Sequence, residues 1–164
     1  MAGIWGDKSL LRDFVTERRG LVLAHEFKAH ENLNIELYDL FEWKEGDGHT
    51  LLEGHKNPRM YEDVVERFSG FDFVNVIKGS VPESFSQAFP DSIAFCHIDI
   101  NHPAPESGAL KHVLPRLSRG GVIFDDYGWW GYSAQKMELD PIASSFGLEI
   151  LELPTGQGLL IKPW

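Results

Sequence analysis

The stretch Ile93-Ala94-Phe95-Cys96-His97-Ile98-Asp99-Ile100 decides the fold. It is apolar except for His97 and Asp99, and its polar residues cluster toward its end, the pattern of a strand buried on both faces of a parallel sheet. Asn101-His102-Pro103 breaks the run. From Glu106 to Leu117, apolar residues at Ala109, Leu110, Val113, Leu114 and Leu117 have the spacing of an amphipathic helix, with Pro115 predicting a kink or an early end. Arg119-Gly120-Gly121 reads as a stop signal, and Gly121-Val122-Ile123-Phe124 as a second apolar strand ending in Asp125-Asp126. Ser133 to Phe146 predicts a further helix, bent near Pro141. Leu148 to Leu153 and Gly158 to Lys162 are two short strands joined by the turn Pro154-Thr155-Gly156-Gln157. Strand, helix, strand, helix and a terminal antiparallel hairpin indicate an α/β fold: a Rossmann-like, mostly parallel sheet with helices on both faces.

Upstream, Lys8 to Arg18 predicts a helix, Ile35 to Phe41 a strand with Asp39 near its end, Tyr61 to Phe68 a helix, and Phe73 to Ile77 a strand. Gly20 to Ala29 fits helix or strand equally. Residues 44–58, with three glycines, Pro58 and two histidines, read as a long polar loop of the kind that forms lids or binding loops. The whole, residues 1–164, reads as one domain.

Charge narrows the partners. Fifteen Lys and Arg against 25 Asp and Glu give a net charge of −10, which argues against nucleic acid or an anionic membrane surface and suits cations. No apolar run reaches transmembrane length, and Met1 to Phe14 lacks a basic region followed by an apolar core, so a cytoplasmic protein is expected. The lone Cys96 cannot form an internal disulfide and reads as a small core residue.

In open α/β sheets ligands bind beyond the C-terminal strand ends. Asp39, Lys78-Gly79-Ser80, Asp99 and Asp125-Asp126 all fall at such ends. Asp99, Asp125 and Asp126, converging from two strands, would repel one another unless a cation joined them, and oxygen ligands suit Mg²⁺ or another hard divalent cation. The alternative is that Asp125 or Asp126 caps the next segment and Asp99 pairs with an arginine. Asp39 is placed either to accept hydrogen bonds from a ribose or to cap a turn. Gly3-Ile4-Trp5-Gly6 is a candidate glycine turn against a cofactor. His97 shares a strand face with Asp99, and His102 lies just past the strand, where a general base could reach a substrate; a hydrogen-bonded structural role is the alternative for both. Trp129-Trp130 either walls a pocket or packs under its loop. The histidine spacings match no common zinc motif.

The run Phe95-Cys96-His97-Ile98-Asp99-Ile100-Asn101, then Leu114-Pro115-Arg116-Leu117-Ser118-Arg119-Gly120-Gly121, then Val122-Ile123-Phe124-Asp125-Asp126-Tyr127-Gly128, resembles the class I S-adenosylmethionine-dependent methyltransferases. It is most similar to the macrocin O-methyltransferase (TylF/MycF-like) group, and Pro154 to Lys162 fits that group's last strands. The likeness is specific over residues 73–164 and looser before them. It implies an O-methyltransferase acting on a hydroxylated small molecule or a glycosyl group, using S-adenosylmethionine and Mg²⁺ held by Asp99, Asp125 and Asp126. Gly3, Gly6, Asp39, Gly79, Ser80 and His97 become the cofactor-side candidates, and Asp99 and His102 the catalytic ones. Where the family has Asp-x-Asp, this chain has Asp99-Ile100-Asn101; asparagine cannot take a proton, which leaves His102 or His97 as base.

The resemblance also implies that the apolar first strand, normally central, is missing or replaced: the chain is truncated, or Gly20 to Phe27 fills the gap, or a partner chain does. A homo-oligomer stays open. Two other functions compete: a non-catalytic or truncated methyltransferase-fold protein serving as a binding or partner subunit, and a metal-dependent hydrolase using the same carboxylates.

Overall fold

A computed structural model describes residues 21–26, 33–42 and 57–163, with side chains from residue 34 onward. Gly3, Gly6, the helix expected over Lys8 to Arg18 and nearly all of the 44–58 loop lie outside the described residues. Seven strands form one sheet: β1 (Leu21–Glu26), β2 (Leu33–Asp39), β3 (Val74–Lys78), β4 (Ile93–Ile98), β5 (Leu117–Phe124), β6 (Ile150–Glu152) and β7 (Gly158–Lys162). Their order across the sheet is β3-β2-β1-β4-β5-β7-β6. The α-helices among the described residues are α1 (Met60–Phe68), α2 (Pro103–Arg116) and α3 (Ser133–Ser145).

β2 runs parallel to β3, and β4 to β5, while β1 is antiparallel to β2 and β4, and β7 to β5 and β6. Five strands therefore share one direction, and only β1 and β7 oppose it. The mostly parallel sheet with a terminal hairpin is as expected. Leu21–Glu26, ambiguous in sequence, lies in the central slot as a strand antiparallel to both neighbours.

Strand alternation sorts the side chains into two layers. Cys96, Ile98, Val122, Phe124 and Leu160 lie on one face and pack with Ala109, Leu110, Val113 and Leu114 of α2 and Leu139 and Ala143 of α3. Ile35 and Leu37 lie on the other face, beneath Met60, Val64 and Phe68 of α1. Each fully buried leucine contributes on the order of 2 kcal/mol, and α2 sets Leu110 and Leu114 in the core at 0% exposure.

Two local expectations need correcting. Arg119-Gly120-Gly121 does not stop anything: α2 ends at Arg116 and β5 begins at Leu117. The glycine is there because a Cβ on Gly120 would stand 1.9 Å from the Ala94 carbonyl oxygen, where the β4–β5 register shifts between Ile93 and Phe95. Pro141 does not interrupt α3, which runs through it. No helix among the described residues is long and apolar enough to cross a membrane.

Candidate functional site

Four of the parallel strands end at one edge of the sheet. Leu21 of β1 faces Tyr38 on one side and Ile98 on the other, so Asp39 and Asp99, the next residues of their chains, stand level at that edge. They lie two strand spacings apart, roughly 10 Å. On the other side of β4, Ile98 pairs with Phe124, and the Asp125 amide donates to the Ile98 carbonyl at 3.0 Å, bringing the residues after β4 and β5 together.

The result is a carboxylate cluster. Asp99, Asp125 and Asp126 each offer an oxygen, all within 4.8 Å of one another. Asp99 is buried at 8% exposure, and the other two are half-buried. Two carboxamides address the cluster: Asn101 Nδ2 donates to Asp99 Oδ1 at 2.7 Å, and Gln157 Nε2 to Asp125 Oδ1 at 2.8 Å. His97 Nε2 lies 3.9 Å from the same Asp125 oxygen. Burial holds the His97 imidazole below its usual range, with Asp125 pulling the other way.

A second polar layer stands behind Asp99. Glu106, in the first turn of α2, accepts from the Asn101 amide at 2.8 Å and from Gln135 Nε2 of α3 at 2.6 Å, both on Oε1. Burial pushes its carboxyl up to about 7, with Asp126 adding to the rise and hydrogen bonds from Gln135, Asn101 and Ile100 opposing it. Asn101 takes a left-handed φ of 60°, which asparagine tolerates better than most residues.

At the β2 and β3 ends, the Asp39 carboxylate accepts from the Phe41 amide at 2.6 Å, and the Gly79 amide donates to the Asp39 carbonyl at 3.0 Å. Asp39 and Gly79 are thus neighbours, and Asp39 makes the turn contact that its alternative reading anticipated. The Ser80 hydroxyl donates to Glu83 at 2.9 Å, bracing the short 3₁₀ turn Glu83–Ser86. His102 is exposed at the start of α2 and makes no side-chain cap there.

The Asp125-Asp126 loop and the β6–β7 turn close around a shallow depression of about 300 Å³, lined by Gly128, Trp129, Trp130, Pro154, Thr155 and Gly156. Both tryptophans line this depression, as the pocket-wall expectation has it, and Trp129, 55% exposed, is not packed under its loop. Trp129 packs on Gly156, where a Cβ would stand 2.4 Å from its Nε1, while Trp130 projects at 90% exposure.

The structure therefore gathers Asp99, Asp125, Asp126 and His97, sets Asp39 and Gly79 along the same edge, and leaves Ser80 and His102 on its surface. Sequence reasoning missed Glu106, Gln135 and Gln157. Glu106 carried a signal: it lies three and four residues before Ala109 and Leu110, on the apolar stripe of α2, where a carboxyl needs partners. Neither glutamine carried one.

A methyltransferase-domain family model matches residues 18–127. Among solved structures, the O-methyltransferase NovP superposes with a TM-score of 0.60 at 19% identity, covering 79% of this chain and 60% of NovP. The calicheamicin methyltransferase CalS11, a TDP-rhamnose 3′-O-methyltransferase, superposes with a TM-score of 0.53 at 17% identity, covering 76% of this chain and 56% of its own. This chain thus spans about 60% of the length of NovP. No curated protein sequence matches it.

Proposed function

The chain belongs to the methyltransferase-domain family, and from that premise we propose that it is an S-adenosylmethionine-dependent, Mg²⁺-assisted O-methyltransferase acting on a hydroxylated small molecule or glycosyl group. The observation that carries the reading is the convergence of Asp99, Asp125 and Asp126 within 4.8 Å at the ligand edge of the sheet.

The donor set suits a hard divalent cation. It is all oxygen, its members repel one another, and the buried Asn101 Oδ1 has no hydrogen-bond partner among the described residues. When bound, S-adenosylmethionine supplies a methyl group on a sulfonium, and the cation supplies positive charge at the acceptor oxygen. Asp39 would accept from the ribose hydroxyls of the cofactor, with Gly79 beside it. Trp130, exposed over the depression, offers a flat apolar face to a sugar ring, a suitable wall for a glycosyl acceptor. His102, at the start of α2 and open to solvent, is our choice to take the hydroxyl proton and release it to water. His97, held below its usual range by burial, is the alternative, though its place against Asp125 fits a bracing role better.

The experiment is calorimetric titration of the purified chain with S-adenosylhomocysteine, with and without Mg²⁺, followed by a screen of sugar and phenol acceptors. Saturable one-site binding supports the reading. A folded chain that binds nothing at millimolar ligand overturns it.

One observation favours a second reading, a methyltransferase-fold protein that serves as a binding subunit without catalysing. In a mononucleotide-binding fold the glycine turn follows the first strand at the ligand edge. Here β1 enters the sheet at that edge with Leu21 and leaves it at the far side. The same titration separates the two readings.

A further inference from the structure

We propose that Glu106 is a positioning residue for the carboxylate cluster: with Gln135 it locks Asn101 in the left-handed turn from which the Asn101 side chain holds Asp99. The inference rests on the cation reading above and names what keeps the cluster's buried member in place.

The chain must turn sharply between β4 and α2. Pro103 confines His102 to extended backbone, and His102 adopts φ −143° and ψ 125°. The reversal therefore falls on Asn101, at φ 60°. A non-glycine residue holds such a conformation when its surroundings over-determine it. Here they do: Glu106 Oε1 takes the Asn101 N–H at 2.8 Å, and the Asn101 Nδ2 spans 2.7 Å to Asp99 Oδ1. Asp99 is thereby fixed through its own neighbour by a residue one helical turn away.

Glu106 is itself fixed from a third element. Gln135 of α3 donates to the same Oε1 at 2.6 Å. Asn101, Glu106 and Gln135 are exposed by only 6%, 4% and 2%. An acidic residue in a helix's first turn gains the dipole benefit just as well in solvent, without the desolvation that burial imposes. Helix stability alone does not account for its place. A link from α3 through Glu106 and Asn101 to Asp99 does, and it matches how outer-layer partners orient metal-binding carboxylates. Among the described residues neither the buried Asn101 Oδ1 nor the Gln135 Oε1 at the other end of the network has a hydrogen-bond partner.

The test is Mn²⁺ titration of the intact chain, followed by the electron paramagnetic resonance of free Mn²⁺, with circular dichroism and melting curves on every variant. Glu106→Leu and Asn101→Gly are each expected to weaken Mn²⁺ binding by about 10- to 100-fold. Glycine keeps the left-handed backbone and removes only the side chain. Glu106→Gln retains a carbonyl acceptor and is expected within about threefold of the parent chain. Combining Glu106→Leu with Asn101→Gly should add little, because both act on Asp99 by one route. Unchanged Mn²⁺ affinity in folded Glu106→Leu overturns the proposal, as does equal loss in Glu106→Gln and Glu106→Leu. Should Glu106→Leu fail to fold, Asn101→Gly decides alone, and unchanged affinity there overturns it. A parent chain that binds no Mn²⁺ overturns the cation reading and this inference together, whereas parent binding with insensitive variants removes this inference only.

Discussion

The imidazole of His97 approaches Asp125 to 3.9 Å, on the same carboxylate oxygen that receives the Gln157 amide at 2.8 Å. One is the buried end of β4, the other opens the loop after β5, and their meeting follows from the parallel pairing of His97 with Ile123. Asp125 is thus held by Gln157 of the β6–β7 turn, with the His97 ring alongside it. Side chains braced in this way are what a cation site needs, since ligands that are already oriented lose little freedom on binding.

The carboxylates give the first prediction. Three acidic groups within 4.8 Å repel in the absence of a cation. Asp126→Asn removes one charge from that cluster. It should therefore leave the melting temperature of the cation-free chain unchanged or higher, and abolish most of the rise that millimolar Mg²⁺ produces in the parent chain. Loss of one ligand should weaken the cation by at least tenfold, about 1.4 kcal/mol. Melting curves with and without Mg²⁺ read both effects. A Mg²⁺-induced rise that survives the substitution removes Asp126 from the site.

Glu106 gives a prediction in pH. Its carboxyl is raised from 4.5 to about 7 in the folded chain, chiefly by burial. A group raised on folding contributes stability that is full below the unfolded value and is lost as pH climbs through the folded one. Between about pH 4.5 and pH 7.5 the parent chain should lose on the order of 3 kcal/mol through this group. Glu106→Gln, which cannot ionise, should lack that component. Urea denaturation of both chains across the range measures it as the widening difference in stability, with the variant gaining on the parent as pH rises. Parallel curves would disprove it.

Gly156 gives a prediction in packing. It sits at φ 88°, and a Cβ would stand 2.4 Å from Trp129 Nε1. Gly156→Ala combines backbone strain with a clash against a ring, and should cost about 1–3 kcal/mol. Displacing Trp129 should also alter the tryptophan emission of the native state. Denaturation followed by fluorescence reads both, and a variant with native emission and stability would show that the turn accommodates a methyl group.

Legibility in the sequence tracked how local the deciding forces are. β4, β7 and α2 announce themselves through apolar spacing, because burial of one face or both sets that spacing. The residues at or just past the strand ends, Asp39, Asp99, Asp125 and Asp126, could be picked out because a carboxylate there breaks an apolar run. β1 was ambiguous because Leu-Val-Leu-Ala-His-Glu suits helix and strand alike, and its reversed direction depends on partners far along the chain. Gly120 reads as part of a stop signal, yet the cause of its glycine is the Ala94 carbonyl across the sheet. Gln135 and Gln157 were invisible for the same reason: each matters through a partner 29 or 32 residues away.

One substitution separates the turn contact of Asp39 from the ribose-binding role proposed for it. Its carboxylate already accepts the Phe41 amide at 2.6 Å, in a turn where Phe41 takes φ 50°. Asparagine keeps an oxygen in that place, so Asp39→Asn should preserve the turn and melt within a degree or two of the parent. A ribose hydroxyl pair, by contrast, is best held by a charged acceptor, and hydrogen bonds to charged groups exceed neutral ones by roughly 1–2 kcal/mol. Asp39→Asn should therefore weaken S-adenosylhomocysteine by about 5- to 30-fold at nearly constant stability. Asp39→Ala, which removes the turn contact as well, should lose both. Calorimetric titration paired with melting curves separates the cases: full affinity in the asparagine variant would leave Asp39 as a turn former alone, and would move the cofactor's ribose away from the β2 end.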